Sequence, residues 1–265
     1  MKIPSNIVIF ALMKRAIILG ASSGIGRETV LRLLAKGWYV GVAARRGDRL
    51  DEIKTVNPDR VEAMTIDVTS ADAVPRLLEL VRRMGGVNLF VYSVGIGKQN
   101  ERLDPDVELA TTEVNVVGFT RMVDAMFNYM AANLGGDIAV VTSIAGTKGI
   151  GVAPSYSATK AYQSKYIQAL EQLSNMRRLH IRFTDIRPGF VDTPLLEGGG
   201  RYPMLMDKAD VVREMLKAVE AHRHVRIIDW RYRLLTFAWR LIPNLVWRRM
   251  DIRVKDSPEA VGKKK

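Results

Sequence analysis

Short apolar runs and longer amphipathic stretches alternate along the chain. Ala16-Ile17-Ile18-Leu19 is the first such run, and a stretch with one apolar face follows it as far as Lys36-Gly37. A short apolar run bounded by glycine fits a buried strand, and a recurrence every three or four positions fits a helix resting on it. The pattern predicts strands at 15–19, 39–43, 61–66, 88–93, 137–142, 181–186 and 225–228. It predicts helices at 25–36, 48–56, 70–83, 111–133, 155–178 and 208–221. Helices between successive strands require parallel pairing with right-handed crossovers. The expected fold class is therefore α/β: a doubly wound parallel sheet of Rossmann type, in three αβα layers, as a single domain. Ligands in such a sheet bind beyond the carboxyl ends of the strands.

Two local patterns carry chemistry. Gly20-Ala21-Ser22-Ser23-Gly24-Ile25-Gly26 follows the first strand directly. Glycines at such a turn make it tight, let the backbone approach a pyrophosphate, and let helix and strand pack closely. The spacing is Gly-x-x-x-Gly-x-Gly, and by itself it also suits a plain strand-to-helix connection. In Tyr156-Ser157-Ala158-Thr159-Lys160, a phenol and an ammonium stand one helical turn apart on the same face. A fixed cation beside a phenol favours the phenolate, so the pair could exchange a proton nearer neutral pH. Taken alone, this spacing also fits ordinary amphipathic packing.

The glycine turn, Asn115, Ser143, Tyr156, Lys160 and the Arg187-Pro188-Gly189 turn stand in a telling order and spacing. In these the chain resembles the short-chain dehydrogenase/reductase family from about Lys14 to about Ile228, and its glycine pattern is similar to that of the single-domain branch. The resemblance implies an oxidoreductase that interconverts a ketone or aldehyde and an alcohol by hydride transfer, with Tyr156 as general acid and base. Ser143 would hydrogen-bond the carbonyl oxygen. Lys160 would lower the Tyr156 pKa and hold the nicotinamide ribose, and Asn115 would hold a water in the proton relay.

The same resemblance implies cofactor contacts at Gly20, Ser22, Ser23, Gly24, Ile25 and Gly26. Others are implied at Asp67 and Val68 after the third strand, at Ser93, Val94 and Gly95 after the fourth, and at Pro188, Gly189, Val191 and Thr193 after the sixth. Asp67 could equally cap a helix beginning near Ser70. Where the family usually has Asn-Asn-Ala-Gly, this chain has Tyr92-Ser93-Val94-Gly95. The change puts in doubt the bracing of the fourth strand and could narrow the cofactor cleft. After the second strand, the place of an acid that would bind a ribose 2′-hydroxyl is taken by Ala44, followed by Arg45 and Arg46. Guanidinium groups suit a 2′-phosphate by charge and by their paired donors, so NADP(H) is the expected cofactor. The loop through Gly198-Gly199-Gly200 is read either as a mobile substrate lid or as an ungated connection.

Composition narrows the picture further. A chain of 265 residues suits one filled α/β core. It has no cysteine, which excludes disulfides and thiolate chemistry, and its three histidines suggest no metal site. Residues 1–13 read as an N-terminal extension in which Met13 is an alternative start, residues 14–229 as the Rossmann-type domain, and residues 230–265 as a basic amphipathic tail ending in Lys263-Lys264-Lys265. Pro243 should split the tail into two helices. With a formal charge of +12, its interleaved arginines and aromatic residues would suit an anionic membrane surface. Packing on the body or on a second subunit is the preferred reading, because Trp230, Trp239 and Trp247 lie there. The expected partners are a carbonyl or alcohol substrate of hydrophobic character and further copies of the chain, as a homodimer or homotetramer, with no nucleic acid. The expected location is the cytoplasm, with peripheral membrane contact through the tail as the alternative. A non-catalytic dinucleotide sensor or scaffold is the competing function, disfavoured because a sensor has no need of an activated phenol.

Overall fold

Neighbouring residues of the first strand go to opposite sides of one sheet. Ala16 and Ile18 join one buried cluster, and Ile17 and Leu19 join another. This is the period-two alternation of a strand covered on both faces. The computed structural model describes residues 13–196 and 202–253. Its strands are β1 Arg15–Leu19, β2 Tyr39–Ala44, β3 Val61–Thr65, β4 Leu89–Tyr92, β5 Gly136–Val141, β6 Ile181–Arg187 and β7 Val225–Ile227. They pair in parallel in the order β3-β2-β1-β4-β5-β6-β7. The order reverses between β1 and β4, which opens a crevice at their carboxyl ends.

The helices are α1 Gly24–Ala35, α2 Gly47–Val56, α3 Ala73–Met84, α4 Pro105–Thr112, α5 Phe119–Ala131, α6 Pro154–Met176, α7 Lys208–Glu220, α8 Trp230–Leu241 and α9 Asn244–Trp247. Val30 and Leu33 of α1, Leu50 and Ile53 of α2, and Val212 and Met215 of α7 pack on one face of the sheet. Leu77 and Leu80 of α3, Phe119 and Met126 of α5, and Ile167 and Leu170 of α6 cover the other. The three-layer architecture expected from the sequence is thus present.

The helix expected at 111–133 differs in form. It begins at Pro105, with Asp104 accepting a hydrogen bond from the Asp106 amide at 3.0 Å. A π-helical turn, Glu113–Gly118, then interrupts it before α5. The extra residue turns Asn115 fully inward. Gly118 ends this turn against Val68, where an added methyl would lie 2.6 Å from the valine side chain. The helix expected from residue 70 begins at Ala73, with Asp72 as its N-cap residue.

The doubtful bracing of β4 has a clear replacement. Tyr92 is fully buried, its ring meeting Phe119 edge-on at 5.2 Å, and Ser93 donates its amide to Leu19 of β1 at 2.9 Å. Aromatic packing holds the strand. Pro243 does separate α8 from α9. The N-terminal extension before Met13, the triglycine loop and the final lysines lie outside the described residues.

Candidate active site

The glycine turn has the geometry its composition demands. Gly20 and Gly24 have φ of +93° and +54°, and a methyl on Gly26 would fall 2.2 Å from the Gly20 carbonyl oxygen. The first turn of α1 therefore lies directly on the end of β1. Ser23 is the N-cap residue in extended conformation, yet its hydroxyl makes no cap. The Ser22 and Ser23 hydroxyls instead accept hydrogen bonds from Arg46 Nη2 at 3.1 and 3.2 Å. The helix start keeps its free amide donors, with Ile25 beside them and a guanidinium across the turn: an arrangement suited to a dinucleotide's phosphates.

Arg45 is exposed beyond β2, and its charge acts on Asp67. Burial pushes the Asp67 carboxyl up, but hydrogen bonds from the Thr69 amide (3.0 Å) and hydroxyl (2.7 Å), with Arg45, outweigh it and hold the group below the usual carboxylate range. Asp67 does not cap α3, whose N-cap residue is Asp72; its oxygen closes a local turn on Thr69. Val68 is buried beside it.

Across the crevice, α6 and the turn after β5 bring the polar residues together. Ser143 lies just beyond β5, and its hydroxyl accepts from the Ala145 amide at 3.1 Å. The following 3-10 turn, Ile144–Thr147, packs on α6 so closely that a methyl on Gly146 would lie 2.6 Å from the Lys160 carbonyl carbon. That contact sets Ser143 against Tyr156. At the head of α6, the Glu108 carboxylate of α4 accepts from the Ser155 amide at 3.0 Å, a negative charge at a helix N-terminus. Gly97 lies against the Tyr156 ring, leaving no room for a side chain: its Cβ would meet the ring at 2.3 Å.

The Tyr156–Lys160 electrostatics differ from the expectation. Burial pushes the Tyr156 phenol up, and the Ser143 hydroxyl offsets part of the rise. Lys160 Nζ lies 5.8 Å from the centre of the Tyr156 ring, on the side of Val141 and Gln163, whose carbonyl and amide oxygens it reaches at 3.1 and 3.0 Å. Burial lowers Lys160 to about 8, opposed by Asp185. The phenol is thus kept protonated, as a proton donor requires, while Lys160 is charged at neutral pH.

Asn115 is tied by its side chain to the segment after β4 and to α6. Its side chain accepts from the Ile96 amide (2.9 Å) and donates to the Ile96 carbonyl (2.7 Å) and Thr159 Oγ1 (3.1 Å). Its link to Lys160 runs through its main-chain oxygen, which accepts from Gln163 Nε2 at 2.9 Å. Gln163 is fully buried and bridges the two. Its position, three residues after Lys160 on the same helix face, was the available signal. Asp185 is a second unanticipated member: a buried acid in the mostly buried strand β6, taking a hydrogen bond from Thr142 and pairing with Arg187 at 2.6 Å.

The remaining expected residues line the same edge. A methyl on Gly95 would lie 3.2 Å from Lys160 Nζ, so Ser93, Val94 and Gly95 run past the lysine. The Pro188 carbonyl accepts from the Ile144 amide at 3.0 Å. Val191 bridges to Met206, and Thr193 reaches back until its methyl would be 3.1 Å from a Cβ on Gly24. Gly189 is explained by the tail, because a methyl there would meet the Tyr232 ring at 2.1 Å. Tyr232 accepts from the Phe190 amide at 3.1 Å and donates to the Pro203 carbonyl at 2.9 Å. The tail docks on the body beside the site, as preferred from its sequence.

Residues 14–200 match the family model described as short chain dehydrogenase. An uncharacterized oxidoreductase of Myxococcus xanthus is 31% identical over 239 residues, spanning 87% of this chain and 93% of the relative. A second, from Mycobacterium tuberculosis, is 26% identical over 244 residues, spanning 88% and 93%. Among solved structures, a short chain dehydrogenase from Burkholderia cenocepacia in complex with NADP superposes with a TM-score of 0.78 at 22% identity, covering 91% of this chain and 98% of that one. A 7beta-hydroxysteroid dehydrogenase gives 0.74 at 20% identity, covering 86% and 92%. The chain belongs to the short-chain dehydrogenase family and is an oxidoreductase built on a Rossmann fold.

Proposed function

We propose that this protein is an NADP(H)-dependent oxidoreductase acting between a ketone or aldehyde and the corresponding alcohol, with Tyr156 as its acid and base. The observation that carries the reading is the convergence of Ser143, Tyr156 and Lys160 on the sheet edge that also holds the glycine turn. When bound, the nicotinamide supplies or accepts the hydride.

The chain's own residues do the rest. Gly20, Gly24 and Gly26 leave room for a pyrophosphate at the start of α1, and Arg46, with Arg45 nearby, offers guanidinium donors to a 2′-phosphate. Val68 and Asp67 would border the adenine, and Pro188 to Thr193 the nicotinamide. Ser143 donates a hydrogen bond to the substrate carbonyl oxygen, and Tyr156 donates the proton that neutralises the developing alkoxide. Lys160 places a positive charge behind them, which stabilises negative charge on that oxygen and later on the phenolate. Gln163 and Asn115 fix the ammonium's position.

NADPH consumption across a panel of ketones of graded size tests the reading, with turnover expected for at least one and a lower KM for NADPH than for NADH. Arg46→Ala should weaken NADPH binding by about 1.5–3 kcal/mol, as for a lost charge-assisted hydrogen bond, with little effect on NADH. Equal losses for the two cofactors would remove Arg46 from this role.

A further inference from the structure

Docking uses only one face of α8. Tyr232 and Thr236 are buried and Trp239 packs against the body and Trp247. Trp230, Leu234, Phe237 and Leu241 follow one another at helical spacing along the opposite face, each between 59% and 68% exposed. Leu245 and Val246 extend the apolar surface into α9, itself tied down by Trp247 Nε1 on the Gly149 carbonyl at 2.7 Å and by Lys148 Nζ on Asn244 Oδ1 at 2.8 Å. The exposed stripe therefore belongs to a helix pair fixed in place.

Charge identifies what would cover it. Residues 230–250 contain Arg231, Arg233, Arg240, Arg248 and Arg249 and no acidic residue. Arg233 and Arg240 fall one helical step to the same side of the stripe. Arg233 also lines a depression of about 320 Å³ with Arg223 and Arg226. Arg226 is paired with Glu214 and Arg231 with Asp229, and Arg233 acts on the same Asp229 carboxylate without an ion-pair contact, while Arg223 forms no ion pair among the described residues. A second copy pressing the same stripe against this one would bring the arginine sets together and be repelled. A surface with apolar depth under a layer of anionic headgroups satisfies both features at once.

We infer that the outer face of α8 and α9 is a docking surface for an anionic lipid bilayer, with the apolar stripe entering the interface and Arg223 and Arg233 meeting headgroup phosphates. No helix among the described residues is long and apolar enough to cross a membrane, so the contact is peripheral. The reading is independent of the assigned chemistry.

The full-length chain should co-sediment with vesicles of equimolar phosphatidylcholine and phosphatidylglycerol at least about tenfold more than with phosphatidylcholine alone, and less as salt rises from about 0.05 to about 0.5 M. The double variant Leu234→Ser, Phe237→Ser should lose this binding with an unchanged melting temperature, since both side chains are exposed. Arg223→Ala with Arg233→Ala should reduce the binding several-fold and flatten its salt dependence. Absence of binding by the full-length chain, or equal binding to both vesicle types, would overturn the proposal. So would a change in sedimentation mass caused by the stripe variants without vesicles, which would mean that a second copy covers the stripe.

Discussion

Lys160 has lost part of its basicity to burial, so its charge is present below about pH 8 and fades above it. In the proposed mechanism, carbonyl reduction uses the charged lysine and the protonated phenol, and the lysine's charge is the one lost as pH rises through 8. The rate of NADPH-dependent reduction should therefore be level near neutrality and fall above about pH 8, and a profile flat to pH 10 would contradict the role given to Lys160. Stability moves the other way. Between about 8 and 10.5 the unfolded lysine binds a proton that the folded one has released, so the cost of the buried ammonium fades over that window. Gln163 gives a second test. Gln163→Leu removes one hydrogen bond from Lys160 and leaves the Asn115 carbonyl without its partner. Turnover should drop roughly tenfold, and the falling limb of the pH profile should move to lower pH. A loss of stability without that shift would make Gln163 structural only.

At the scale of elements, the docking of α8 rests on the absence of a side chain at Gly189. Gly189→Ala would force the Tyr232 ring away and with it the hydrogen bonds to Phe190 and Pro203. A cost of about 1–3 kcal/mol is expected from such overpacking, seen as a lower melting temperature and faster proteolytic cleavage near Asp229. An unchanged melting temperature would show that the contact gives way easily. The strands were legible because each is a short apolar run between breakers, and burial on both faces makes such runs continuous. The start of α4 was legible in principle from Asp104-Pro105, a cap residue followed by a helix-starting proline. The π-helical turn was not, because its extra residue answers to Asn115 meeting Ile96 and Gln163, contacts distant in sequence. The glycine turn and the Tyr156–Lys160 pair could be read from spacing alone. The direction of their pKa shifts could not, since it depends on burial by Gly97 and on neighbours from β5 and β6. The tail was legible as amphipathic, while the choice of its docked face rests on Gly189.

Across the whole molecule, the assigned polar groups gather at the carboxyl ends of the strands. The His222–Asp137 and His224–Glu171 pairs lie instead with the amino-terminal ends of β5 and β7, away from that chemistry. One edge of one sheet thus carries the glycine turn, Arg45 and Arg46, and Tyr156, and the tail is pinned beside it. The measurement that tests this most directly is NADPH binding and single-turnover NADPH oxidation with a ketone substrate, compared between the natural chain and Tyr156→Phe. The substitution removes the phenolic oxygen and leaves the ring against Gly97. NADPH affinity and melting temperature should stay near those of the natural chain, while the rate of oxidation should fall by roughly 10²–10⁴-fold. Oxidation at an undiminished rate in the folded, NADPH-bound variant would contradict Tyr156 as the proton donor.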